Sequence, residues 1–143
     1  HCLIHQPRYN ILDRRPEGGL YEVLAEKGVG AIPFSPLAQG LLTNRYLGGI
    51  PADSRAAGKS VFLNPEQIDQ ATLDKITRLN QIAQARGQTL AQMAISWLHR
   101  DPVTASVIIG ASKLSQIRDC VKAQEAPPFD ERELKAIDEA AAV

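Results

Sequence analysis

The chain has 143 residues, 44% of them apolar, with 16 Lys and Arg balanced by 16 Asp and Glu. That length suits about one domain with one modest core. The neutral balance speaks against a nucleic-acid partner, which would draw a basic excess to one face, and no apolar run reaches the ~20 residues of a membrane span.

In chain order, Cys2 to Gln6 reads as a short buried strand. Leu20, Val23 and Leu24 stand at i, i+3 and i+4, a helix face, and Gly28 can take the left-handed conformation that stops the helix. Val29 to Phe34 reads as a second short strand, with Pro33 where a central strand could not continue. Gly28-Val29-Gly30 precedes this strand, so it is not a dinucleotide fingerprint, which follows one. Ser35 to Lys59 has no sustained period and is expected to be a long loop, of the kind that is usually functional or disordered.

Asn64-Pro65-Glu66-Gln67 then carries the signals of a helix start, with Ile76, Leu79 and Ala83 on one face and Gly87 as the stop. Thr89 and Gln92 form a capping box ahead of the stripe Leu90, Met93, Ala94, Trp97 and Leu98. Trp97 and Met93 are core by position. Arg100 suits the negative end of that helix and Pro102 closes it. Ser106 to Ile109 reads as a third, buried strand. Leu114, Ile117 and Val121 mark a further helix, and Asp130 with Glu133 opens the last. Strands alternating with helices argue for an α/β fold with a parallel sheet.

The two cysteines, Cys2 and Cys120, fit neither a disulfide framework nor, with His1, His5 and His99, a metal site. They are expected to be reduced thiols of a cytoplasmic protein, and no secretory leader is recognised. His1 stands where an initiator methionine would, and strand-like sequence follows at once. Both ends are therefore expected to lie inside a longer protein.

Ligands of parallel α/β proteins bind beyond the C-terminal ends of the strands. Gln6 to Asn10, Phe34 to Gly40 and Gly110 to Lys113 lie there. The third segment precedes a helix and offers backbone N–H groups, the Ser112 hydroxyl and the Lys113 ammonium, an arrangement suited to an anion. Ser112 as a plain helix cap is the alternative. Arg45 and Arg55 on the long loop could grip phosphates or simply face solvent. His5, at a strand end, reads either as a catalytic group or as a hydrogen-bonded core histidine. No nucleophile–base pair, carboxylate pair or metal cluster can be assembled from the sequence.

Phe34-Ser35-Pro36-Leu37-Ala38-Gln39-Gly40-Leu41-Leu42-Thr43-Asn44-Arg45-Tyr46 resembles the strand-seven signature of the aldo-keto reductases. The likeness is to the branch that holds potassium-channel beta subunits and bacterial L-glyceraldehyde 3-phosphate reductases. It extends through Ile50 to Arg55, Gln88 to Leu98 and Ser106 to Ser112, and back to Leu3-Ile4-His5-Gln6-Pro7, which looks like strand six. The resemblance implies that residues 1–143 form a partial domain, about strands six to eight with their helices, of a (β/α)8 TIM barrel whose N-terminal units are missing.

It further implies an NADP(H)-dependent reduction of aldehydes or ketones in the intact protein, with L-glyceraldehyde 3-phosphate or a related small aldehyde as candidate substrate. Gln6 would bond the nicotinamide carboxamide and Phe34 stack on the ring. Ser35 and Leu37 would line the pyrophosphate path, Pro36, Ala38 and Gln39 would be further cofactor-binding positions, and Arg45 and Arg55 would reach over the phosphates. Gly110, Ser112, Lys113 and Gln116 would meet the adenosine end and its 2′-phosphate. Asp119 and Cys120 stand near the adenine, where the family's usual Glu-Glu-Asn is Arg118-Asp119-Cys120, and the usual Gly-Lys before Tyr46 is Asn44-Arg45. The family's catalytic Asp, Tyr, Lys and His belong to earlier units, so this chain is expected to carry cofactor-binding residues and no catalytic ones. The alternative the resemblance leaves is a beta-subunit-like regulatory protein that mainly binds a partner.

Overall fold

A computed structural model describes residues 1–47 and 68–142. The elements run β1 (Ile4–His5), α1 (Leu20–Lys27), β2 (Gly30–Ala31), α2 (Gln70–Ala85), α3 (Leu90–Leu98), α4 (Leu114–Val121) and α5 (Glu131–Ala142). The helix-start signal at Asn64 to Gln67 lies outside the described residues. Among those described, Asp69 caps α2 by accepting the Thr72 N–H at 2.8 Å. The described part of the expected long loop, residues 35–47, holds two 3₁₀ turns, Ala38–Gly40 and Asn44–Tyr46, and the rest of that loop lies outside the described residues.

β1 and β2 pair in parallel, Ile4 with Gly30 and His5 with Ala31. An isolated parallel bridge joins Arg8 to Phe34 further along, and another joins Ala31 to Thr104 on the far side of β2. The approach there is close, since a Cβ on Gly30 would come within 3.2 Å of the Ala105 Cβ and that neighbour would have to give by a few tenths of an ångström. Three segments thus run parallel, as the helix between each pair of strands implies.

The third is not the regular strand expected at Ser106 to Ile109. Ala31 exchanges both its bonds with Val103 and Ala105, at 2.7 and 2.9 Å, and the next bond is Ile108 N–H to the Pro33 carbonyl at 2.9 Å. Pro33 has no N–H to return, so one rung is lost and the partner takes up an extra residue there. The expectation of burial also fails for two of the three segments. Leu3, Ile4 and Ile108 are exposed, because β1 forms the sheet edge and no described element covers them.

The helices fill one main core. On α1 the inward face is Tyr21 and Leu24, while Val23, expected inside, faces solvent. Tyr21 is drawn in by an edge contact with Tyr9, centroids 5.0 Å apart, and by a 3.1 Å bond to the Thr104 hydroxyl. Gly28 ends α1 at φ 62°, as anticipated. The whole α3 stripe is buried behind its capping box. Trp97 lies against Tyr9 at 5.3 Å, and the Arg100 guanidinium stacks on its ring at 3.5 Å while bonding the Trp97 carbonyl at 2.9 Å. Asp130 and Glu133 exchange the expected capping bonds at 2.9 and 2.8 Å. Arg86 ties α5 to α2 by pairing with Glu133 and lying 3.8 Å over Phe129.

The expected face of α4 is not a core face: Leu114, Ile117 and Val121 are 61, 44 and 57% exposed. α4 instead meets α3 through polar groups, described next. Among the described residues, no helix is long and apolar enough to cross a membrane, and no cluster of metal-binding side chains occurs.

Candidate functional site

The parallel segments end on the same side, and there a cleft of about 810 Å³ opens between the loop after β2 and the turn before α4. Phe34, Ser35, Pro36, Leu37 and Gln39 line one wall, with Arg45 and Tyr46 beyond them. Ile108, Ile109, Gly110 and Ser112 line the other, with Gln116, Asp119 and Cys120 from α4. Gly110, far from Ser35 in sequence, faces it because β2 and the third segment are neighbours running the same way.

The first wall has an unusual backbone. Ser35, Ala38 and Gln39 take positive φ of 56°, 47° and 61°, and Gly40 follows at 99°. Left-handed conformations cost non-glycine residues roughly 1–2 kcal/mol each, so they persist only where contacts over-determine them. Those contacts are present. The Ala38 N–H closes a turn onto the Ser35 carbonyl at 3.1 Å, and the Leu37 carbonyl takes bonds from Gly40 and Leu42. Thr43 Oγ1 donates to the Gly40 carbonyl at 2.6 Å, and Gln39 Nε2 to Ser35 Oγ at 3.2 Å.

The second wall is polar and cross-braced. The Ser112 and Lys113 N–H groups, expected to be free, donate to Gln116 Oε1 at 2.8 and 3.1 Å, and the Ser112 hydroxyl approaches the same atom at 3.3 Å. Lys113, not Ser112, holds the N-cap position of α4. The Gln116 carboxamide therefore caps the helix, and three donors converge on one oxygen. Asp119 accepts from Thr89 Oγ1 at 3.1 Å and from Gln92 Nε2 at 2.6 Å, which fastens α4 to the start of α3. Burial raises the Cys120 thiol pKa above its ordinary range, and the Asp119 carboxylate pushes the same way.

Eleven of the expected positions thus line one cleft: Phe34, Ser35, Pro36, Leu37, Gln39, Arg45, Gly110, Ser112, Gln116, Asp119 and Cys120. Ala38 is buried beneath the loop. Gln6 and Lys113 are exposed and do not line it, and Arg55 lies outside the described residues. His5 is exposed rather than a core histidine. Thr89, Tyr46 and Ile108 also line the cleft. Sequence reading recognised Thr89 only as a helix cap, because nothing local shows that its hydroxyl also reaches α4. Burial raises the pKa of Tyr9, whose hydroxyl donates to Glu17 at 2.6 Å, and that of Tyr21 as well.

Residues 1–142 match the aldo/keto reductase family. The chain belongs to that family. It is 48% identical over 141 residues to an L-glyceraldehyde 3-phosphate reductase of Escherichia coli, covering 96% of this chain and 41% of that protein. It is 39% identical over 131 residues to a probable voltage-gated potassium channel subunit beta of Oryza sativa, covering 89% and 40%. An aldo-keto reductase of Bacillus halodurans in its holo form superposes with a TM-score of 0.68 at 26% identity, over 99% of this chain and 44% of that one. A thermostable aldo-keto reductase in complex with the inhibitor epalrestat gives 0.64 at 26%, over 96% and 39%. The chain therefore spans about two fifths of the relatives it matches, and its parallel α/β fold is that of part of an aldo-keto reductase barrel.

Proposed function

We propose that the cleft is the dinucleotide site of an NADP(H)-dependent reductase of small aldehydes, and that residues 1–143 supply about strands six to eight of its barrel. The observation that carries this reading is the joining of the Phe34–Gln39 loop to the Gly110–Gln116 turn in one cleft. The donor set fits such a ligand. Phe34 offers an aromatic face at one end, and Gln116 Oε1 marks a point where two backbone N–H groups and a hydroxyl already hold one acceptor. A phosphate oxygen taking that place would gain the same donors at a positive helix end. Arg45 adds a cation to the same cleft. Gln6, exposed beside β1, would close the nicotinamide end.

A bound reduced dinucleotide would supply hydride to the carbonyl carbon of the substrate. The residues of this chain bind and orient; a proton donor would come from units outside it. The higher identity to the E. coli reductase than to the rice channel subunit favours an enzyme over a regulatory subunit. L-glyceraldehyde 3-phosphate is the candidate substrate on the same ground, and a cytoplasmic setting goes with it.

The test is a fluorescence titration of the chain with NADPH and with NADH. NADPH should bind more tightly. Each charge-assisted hydrogen bond contributes about 1.5–3 kcal/mol, so Ser112→Ala or Arg45→Ala should weaken NADPH by roughly tenfold or more. Lys113→Ala should weaken it less, since Lys113 stands outside the cleft wall. Equal affinity for both dinucleotides in the parent chain would remove the 2′-phosphate role.

A further inference from the structure

The ladder between the β1 and β2 segments does not simply stop. Phe34 N–H donates to the Pro7 carbonyl at 3.0 Å and Tyr9 N–H to the Phe34 carbonyl at 3.4 Å. One residue later the backbones part. There the side chain of Asn10 takes over: its Nδ2 donates to the Ser35 carbonyl at 2.9 Å. The other end of the same carboxamide, Oδ1, accepts the N–H groups of Leu12 and Asp13, each at 2.9 Å. Asn10 is 1% exposed, so solvent cannot replace either set of bonds. One buried side chain thus holds its own turn with its oxygen and the cleft loop with its nitrogen.

The bonded carbonyl belongs to the first of the left-handed residues. Ser35, at φ 56°, follows directly on Phe34 in the cleft wall. Its carbonyl also closes the turn with the Ala38 N–H. We propose that Asn10 is a positioning residue of the dinucleotide cleft, which holds Ser35 left-handed and so sets the path of the Phe34–Gln39 wall without touching the ligand. This rests on reading the cleft as a dinucleotide site, but the anchoring of Ser35 by Asn10 can be tested apart from any ligand.

That separation shapes the experiment. Asn10→Asp keeps oxygen acceptors for Leu12 and Asp13 and puts an acceptor where the Ser35 carbonyl needs a donor. Two quantities are read at neutral pH: residue-resolved amide exchange without ligand, and NADPH affinity. In Asn10→Asp the Ala38 amide should exchange at least tenfold faster, while the Leu12 and Asp13 amides and the α3 core keep their protection. Ser35→Gly in the same background should restore protection at Ala38, because glycine takes positive φ without an anchor; a residue needed only for stability would not be rescued there. NADPH affinity should fall roughly tenfold in Asn10→Asp.

Unchanged Ala38 exchange in Asn10→Asp, or no recovery with Ser35→Gly, would overturn the proposal. If Asn10→Asp unfolds, Asn10→Ser, which shortens the donor out of reach, gives the same comparison, and unchanged Ala38 exchange in that variant overturns it equally. A parent chain that binds no NADPH but shows the exchange pattern would sink the dinucleotide reading and leave the anchoring of Ser35 intact. Loosened exchange with unchanged NADPH affinity would show that the wall is not positioned for the ligand by Asn10, and would overturn it as well.

Discussion

Single residues in the cleft answer to partners far away in sequence. Asp119 reads locally as a polar position on an amphipathic helix, yet its carboxylate is committed to Thr89 and Gln92 at the start of α3. Those two bonds make Asp119 a brace of the cleft wall. Its neighbour Cys120 is half-buried, with a thiol pKa raised first by burial and then by Asp119. A raised thiol pKa means less thiolate at a given pH, and thiolate is the form that reacts. Cys2, by contrast, is exposed. At pH 8, iodoacetamide should therefore label Cys2 well before Cys120, as followed by peptide mass spectrometry over time. NADPH should slow Cys120 further, since that residue lines the cleft. Equal labelling rates would contradict the described burial.

Among the elements, α3 and α4 show opposite fates for similar patterns. Both carry an apolar face at helical spacing, and that spacing correctly signalled a helix in each case. The α3 face is fully inside, with Leu90, Met93, Trp97 and Leu98 inaccessible to solvent. The α4 face, Leu114, Ile117 and Val121, stands open. Periodicity reports which side of a helix is apolar; it does not say whether a neighbour covers that side. Replacing Leu114, Ile117 and Val121 together by serine should then lower the stability of this chain by only about 1 kcal/mol, since exposed substitutions usually stay within about 0.5 kcal/mol each. Leu98→Ala alone should cost about 2–5 kcal/mol. Thermal or urea melts of the two variants make the comparison. A large loss from the α4 triple would mean that its face is packed after all.

At the scale of the molecule, one cleft collects residues from the loop after β2, the turn before α4 and α4 itself. Burial shifts the Tyr9 and Tyr21 hydroxyls away from acidity. The chain also spans about two fifths of its relatives. Incubated with NADPH and L-glyceraldehyde 3-phosphate, it should show no sustained loss of cofactor absorbance above a boiled control. Steady turnover would place a complete catalytic set within these residues.

By itself the sequence determined the local matters: where helices begin and end, that parallel strands alternate with them, and which family signature the chain carries. The Thr89–Gln92 box, the Gly28 and Gly87 stops and the Asp130–Glu133 box were legible because each is settled within four residues by capping bonds or a positive φ. The tertiary structure alone decided three other things. It decided that Pro33 spoils the third strand, since the missing N–H matters only when a partner segment lies beside it. It decided that Gln116 Oε1 accepts the Ser112 and Lys113 amides, because a side chain one helical turn away can fold back onto them. And it decided that Asn10 meets Ser35, a contact across 25 positions, which no local pattern encodes because it depends on two parallel segments ending side by side.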